Sequence, residues 1–186
     1  MQNKTSIQSN GQSLYINSKI VANKMGLATL GVFNILTIIF IIWVFCQPEE
    51  NTEFIKLKVG VLLLVMPTYI FTLGKYTAWN FWGEERIIIN TKCINYQYSY
   101  GIIVLNDVTI PFHNLSMDII ITDNTVNNER GEFILFDYDQ FDLPFKIFTS
   151  TVALSKKDLE TINTKIKSLF INEAMPENQF FPFSLN

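Results

Sequence analysis

Nucleophilic catalysis needs a base beside the nucleophile, and the one imidazole in the chain is His113. Of the two cysteines, Cys46 ends a long apolar run and only Cys93 could meet His113 in a fold; two such residues make neither a triad nor a zinc site. No HExxH and no paired-cysteine spacing occurs. His113 therefore reads as a structural residue in a turn after "IPF", and the two distant thiols as reduced and incidental. The eight glycines, at 11, 26, 31, 60, 74, 83, 101 and 131, form neither a GxGxxG fingerprint nor a phosphate loop. "DYDQFD", Asp137 to Asp142, is the one acidic cluster that could hold a divalent cation. It starts like a calcium loop, but Phe141 takes the third ligand position, the sixth lacks glycine and the twelfth lacks glutamate. A solvated hairpin edge, whose charge discourages edge-to-edge pairing, explains the cluster better. No catalytic group, metal or cofactor is expected.

Charge narrows the partners. Residues 84–186 carry eight Lys/Arg against fourteen Asp/Glu, a net −6 within a chain of net −3. Affinity for nucleic acid comes from cations that neutralise phosphates, so the acidic balance argues against such a partner, and equally against tight binding to anionic lipid headgroups.

The chain has 186 residues, 48% of them hydrophobic, and a positive mean hydropathy, which suits one domain plus a membrane element. A hydrocarbon core about 30 Å thick takes roughly twenty helical residues. Gly26–Cys46 is uncharged over twenty-one residues and begins too late to be a signal peptide. Val59–Trp79 is the second span; it contains Pro67 and a Lys75 that can snorkel, and Tyr76, Trp79, Phe81 and Trp82 supply an aromatic belt where the helix should leave the bilayer. The short connection "QPEENTEFIKLK" makes the spans an antiparallel hairpin, 26–79, with both termini on one side. Lys19, Lys24, Lys75, Arg86 and Lys92 flank that side, against Lys56 and Lys58 among three glutamates in the loop. The positive-inside rule then places both termini in the cytoplasm, with residues 1–25 as a cytoplasmic segment.

Within the hairpin, Ala28, Gly31 and Asn34 make a small helix face with a polar tip. An amide in hydrocarbon needs a partner. Thr72 lies at a similar depth and Thr68 one turn deeper, so Asn34 is expected to bond to Thr72 or Thr68 and fix the hairpin register.

From Glu84 the pattern turns to short β-like runs at 86–90, 93–100, 102–105, 108–112, 117–122 and 132–138. One more is expected at 145–149 or 151–154, with "DNTVNNERG" as a loop. Ser155 and Asp158 form a capping box, Leu154 and Leu159 the staple across it, and Leu159, Ile162, Ile166 and Leu169 one apolar stripe. The expected fold is thus a two-helix membrane hairpin plus an α+β domain over 84–174, an antiparallel sheet capped by a helix at about 156–172. The aromatic tail, 175–186, could dock on the domain, touch the membrane or stay mobile.

"WNFWGEERIIIN", the strand pair after it, "IPFHNL" (110–115) and "VALSKKDLETINTKI" together resemble the bacterial pleckstrin-homology-like membrane proteins with two spans, over about residues 14–170. The resemblance implies a PH-like sheet or partial barrel, and a non-enzymatic, membrane-tethered binding or scaffolding module. The acidic balance departs from the basic face of lipid-reading members of that fold. The function expected is an inner-membrane protein presenting a cytoplasmic protein-binding domain, with Asp118, Asp137, Asp139 and Asp142 on the binding surface and a basic face on the partner. An alternative is an immunity protein that neutralises a membrane-active or pore-forming toxin through the hairpin, with Asn34 as its contact.

Overall fold

The structure, a computed structural model, describes residues 4–48, 52–125 and 128–172. It shows an α+β fold with two antiparallel sheets, not closed into a barrel, and two long apolar helices. The aromatic tail lies outside the described residues.

Residues 1–25, for which the sequence reading named no strand, contain two, β1 (Thr5–Ser9) and β2 (Ser13–Lys19). Asn10 and Gly11 make the turn between them: Gly11 has φ +88°, and Asn10 Oδ1 accepts from the Gln12 and Ser13 amides at 3.1 and 2.8 Å. Leu14, Ile16 and Ser18 alternate inward along β2, which pairs antiparallel with β3 (Gly83–Asn90) from Ser13↔Asn90 to Lys19↔Glu84. β4 (Cys93–Tyr100) and β5 (Val108–Pro111) complete the five-stranded sheet, ordered β1-β2-β3-β4-β5.

The second sheet joins β6 (Ser116–Thr125), β7 (Asn128–Tyr138) and β8 (Pro144–Thr149), with β9 (Leu154–Ser155) beside β7. The expected loop "DNTVNNERG" is largely strand: β6 and β7 pair through it as far as Thr125↔Asn128. Polar residues suit a loop, but the antiparallel pairing is made by backbone groups that polar residues supply equally well. Conversely, "IIVL" (102–105) is no strand and makes only the bridge Ser99↔Val104. Gly101 turns the chain there at φ +84°, with Trp82 occupying the space where its Cβ would stand. Ile102 is fully exposed, so the apolar run reflects surface chemistry instead of burial.

Helix α5 (Lys156–Asn172) starts at the expected capping box: Ser155 Oγ donates to Asp158 Oδ2 at 2.7 Å and accepts from the Asp158 amide at 3.2 Å. Leu159, Ile162, Ile166 and Leu169 are all buried, in a core with Leu14, Ile16, Ile87, Ile89, Phe133 and Leu135. Each such side chain removed from water contributes about 1.5–3 kcal/mol, so the helix holds both sheets together.

Of the long helices, α1 (Lys24–Phe45) is capped by Asn23 and has only Val44 buried. The second is continuous: α2 (Thr52–Gly60), a π-helical stretch (Val61–Val65), α3 (Met66–Tyr69), a second π stretch (Ile70–Gly74) and α4 (Lys75–Trp82). Pro67 lacks the amide that an α-helix would bond to the residue four before it, and it sits between the two widened turns. Both helices are long and apolar enough to cross a membrane, over Lys24–Phe45 and Ile55–Trp82, and only 6% of each apolar window is buried. Together they point to membrane association.

Candidate functional site

The first sheet has two ends. Gly83 of β3 faces Tyr100 of β4 at the end where α4 arrives, and Cys93 of β4 faces Pro111 of β5 at the far end. Each end carries a cleft.

At the far end, Pro111, His113, Asn114, Tyr138, Asp139, Asp142 and Phe145 line a cleft of about 760 Å³. Asp137 lies beneath it. Its expected place on a solvated edge is corrected: it is 4% exposed, and one oxygen, Oδ1, accepts from the amides of His113, Asn114 and Tyr138 at 3.1, 2.8 and 2.9 Å. A carboxylate that gathers three amides holds the "FHNL" loop against the β7 end. Phe112 and Leu115 are buried on either side, while the His113 side chain is 89% exposed, its Nδ1 3.9 Å from Asp137 Oδ2. Asp139 shapes the next turn, accepting from the Phe141 and Leu143 amides at 2.8 and 2.9 Å. Asp142 follows at φ +57°. Around this acidic turn Phe141, Leu143 and Phe145 are all exposed, Phe141 by 73%. Asp118 does not line the cleft; it is exposed on β6 and accepts from its neighbour, the Ile119 amide. The lining offers an imidazole and carboxylates but no serine, threonine or cysteine. Acidic groups beside exposed aromatic and aliphatic surface suit a basic, partly apolar protein segment.

At the helix end, Thr72, Lys75, Tyr76 and Trp79 face Tyr98, Tyr100 and Thr151 across a cleft of about 360 Å³. Trp79 meets Tyr98 edge-on with centroids 5.8 Å apart and Tyr100 at 5.0 Å. Lys75 Nζ lies 5.4 Å from the Tyr100 ring centre. Below them Glu85 is fully buried. Its Oε1 accepts from the Thr151 amide and hydroxyl, both at 3.0 Å. Oε2 is buried and accepts no hydrogen bond of good geometry, although Tyr98 interacts with the carboxylate. Burial pushes the Glu85 carboxyl above its ordinary range, only partly opposed by the bonds from Thr151. Burial and the Glu85 charge push the Tyr98 phenol well up, so it stays protonated and able to donate. This cleft was not anticipated; the aromatic cluster of α4 was, and the alternating tyrosines at 96, 98 and 100 were the signal that could have completed it.

Glu85 makes stability depend on pH. A folded-state value raised above 4.5 means that the folded domain holds this proton more tightly than the unfolded chain. Stability is therefore greatest below the ordinary glutamate range and falls as pH rises through 4.5 towards the raised value. In Glu85→Gln the fall disappears. Denaturation of the full chain in detergent across that range checks it: the wild type loses stability relative to the variant as pH rises, and parallel curves would contradict the assignment.

Between the long helices, the expected bond from Asn34 to Thr72 or Thr68 is replaced. Asn34 Nδ2 donates to Thr77 Oγ1 at 2.9 Å and to the Leu30 carbonyl at 2.7 Å, and Tyr69 donates to Asn34 Oδ1 at 2.6 Å. Thr72 is exposed and donates back to the Thr68 carbonyl. The expectation counted residues at a uniform helical pitch, whereas the π stretch at Ile70–Gly74 rotates the face presented to α1. The Asn34 amide is thus satisfied within the helix pair. Among the described residues, no three His, Cys, Asp or Glu side chains gather as a metal site would require. No protein-family model and no curated protein sequence matches the chain.

Proposed function

We propose that the chain is a non-enzymatic membrane protein whose two apolar helices cross the bilayer as a hairpin. The hairpin holds a PH-like domain against the cytoplasmic face, and the far end of that domain binds another protein. The observation that carries this reading is the junction: α4 passes from Trp82 straight into β3 at Gly83, and Trp79 packs on Tyr98 and Tyr100. A domain mounted without a linker has a fixed orientation, so one end faces the bilayer and the acidic cleft faces away from it. Ile102, Ile103, Val104 and Leu105, exposed beside Trp82, supply apolar surface for the membrane-facing end. Two antiparallel sheets closed by a C-terminal helix support the PH-like reading, and the lysine distribution supports cytoplasmic termini. The toxin-neutralising alternative has less support, because the Asn34 amide on which it rested is engaged inside the hairpin.

The test places a photocrosslinking residue at Leu143 in the full-length protein in its native membrane. The expected result is capture of a protein with a basic face, weakening as salt is raised from 50 to about 500 mM because exposed charges are screened. Phe141→Ala and Asp142→Asn should each reduce capture about three- to tenfold, as loss of an apolar anchor or a rim charge does. Capture that is indifferent to salt and to both substitutions would remove the far cleft as the binding surface.

A further inference from the structure

The cleft at the helix end carries a cation on one wall and has a fully buried carboxylate beneath the other, and nothing in the proposed protein-binding role uses them. Lys75 stands on the helix wall; Glu85 lies beneath the opposite wall, under Tyr98 and Thr151. Between them stand the rings of Trp79, Tyr98 and Tyr100, with their centres 5.0 and 5.8 Å apart across the Trp79 contacts. A simple cation would meet Lys75, and a simple anion would meet the Glu85 carboxylate. A ligand bearing both charges in the matching order meets neither penalty.

We propose that this cleft binds the headgroup of a zwitterionic aminophospholipid, its phosphate on Lys75 and its primary ammonium against the exposed faces of Trp79 and Tyr98 above Glu85. The inference rests on the membrane reading of the long helices. Lys75 lies seven residues before the end of α4, and Glu85 three residues beyond it, so the cationic side chain is rooted deeper in the bilayer and the carboxylate further out. A phospholipid presents its charges in that sequence, phosphate nearer the acyl chains and ammonium outermost. The faces of aromatic rings attract an ammonium, most strongly where water is excluded. Its N–H donates to the Tyr98 oxygen while the Tyr98 O–H, which already interacts with the Glu85 carboxylate, donates there, so that the phenol is acceptor and donor at once. Thr151 already holds the other carboxylate oxygen, so the acceptor is fixed before the ligand arrives. A choline headgroup has no N–H for Tyr98, and a glycerol headgroup has no cation for the rings. The ordering expected is therefore ethanolamine over choline over glycerol.

Full-length protein, reconstituted into bilayers of defined composition and then released into mild detergent, is weighed with its retained lipids by native mass spectrometry. Phosphatidylethanolamine, phosphatidylcholine and phosphatidylglycerol with identical acyl chains compete at equal amounts. The wild type should retain the ethanolamine lipid about tenfold over the glycerol lipid, the scale of one charge-assisted hydrogen bond. Tyr98→Phe, which keeps the ring, should erase most of that preference, whereas Lys75→Met, on an exposed position of α4, should lower retention of all three lipids, because each presents a phosphate. Glycerophosphoethanolamine at millimolar concentration should displace the lipid in part; binding of this free headgroup as tight as that of the lipid would reassign the site to a soluble ligand. Equal retention of the three lipids, unchanged preference in Tyr98→Phe, or unchanged retention in Lys75→Met overturns the proposal while leaving the hairpin intact. Failure of the protein to insert into bilayers at all would instead sink the membrane reading beneath it.

Discussion

Replacing Asp137 by alanine is expected to destabilise the domain by about 3 kcal/mol, because three amides lose one shared acceptor and each unsatisfied buried group costs about 1–3 kcal/mol. All three donors, His113, Asn114 and Tyr138, converge on the single oxygen Oδ1. Asp137→Asn keeps an acceptor there and gives up only its charge, so it should cost about 1 kcal/mol, in keeping with charged acceptors being roughly twice as strong as neutral ones. Urea denaturation of the full chain in detergent, followed by tyrosine circular dichroism, gives the two stabilities. Hydrogen exchange gives the location: protection of the 112–115 amides should collapse in the alanine variant and weaken only slightly in the asparagine one. Equal losses in the two variants would show that the carboxylate's charge matters, and that a neutral acceptor of the same shape cannot replace it. The effect bears on function because the loop that Asp137 holds is the wall of the far cleft.

That assignment also shows where reading the chain succeeds and where it stops. The α5 helix was legible because its signals agree: Ser155 with Asp158, Leu154 with Leu159, and a four-residue stripe that is buried throughout. The two long apolar helices were legible from hydropathy alone, within a few residues at each end. Asp137 was misread because an aspartate among aspartates looks solvated, and only tertiary structure can bring three amides from two segments to one oxygen. The β1–β2 hairpin was missed although its Asn10-Gly11 turn and the Leu14/Ile16 alternation are local signals; its pairing with β3, across the whole hairpin in sequence, is not local. The partners of Asn34 turned on a π stretch that composition does not announce. The helix-end cleft joins residues 72–79, 85, 98–100 and 151, four separated segments, so no spacing in the chain could display it.

Gly83→Val should sever the mounting of the domain on the helix. Gly83 has ordinary extended angles, φ −60° and ψ 133°, so its backbone places no demand for glycine. Space does: a Cβ there would overlap the Trp79 carbonyl oxygen and press on Ile20 Cδ1 and Trp79 Cε3, at 2.8 and 2.9 Å. The backbone oxygen cannot rotate away as a flexible side chain could, so α4 and β3 must separate. Overpacking of this kind costs about 1–3 kcal/mol, and here it is concentrated on the contacts of Trp79 with Tyr98 and Tyr100. Ala is expected to show the lower part of that range and Val the upper part or more. With Trp43 and Trp82 replaced by phenylalanine, Trp79 emission reports the junction. It should shift to the red and become more accessible to a soluble quencher in Gly83→Val, while the helices remain in the bilayer and the sheets remain folded by circular dichroism. The same variant tests whether fixed orientation matters: protein capture at the far cleft needs only the folded domain and should fall modestly. Headgroup preference needs both walls of the helix-end cleft and should vanish. Unchanged Trp79 emission would mean that the junction yields at no cost, and that the domain hangs from the helix as from a loose tether.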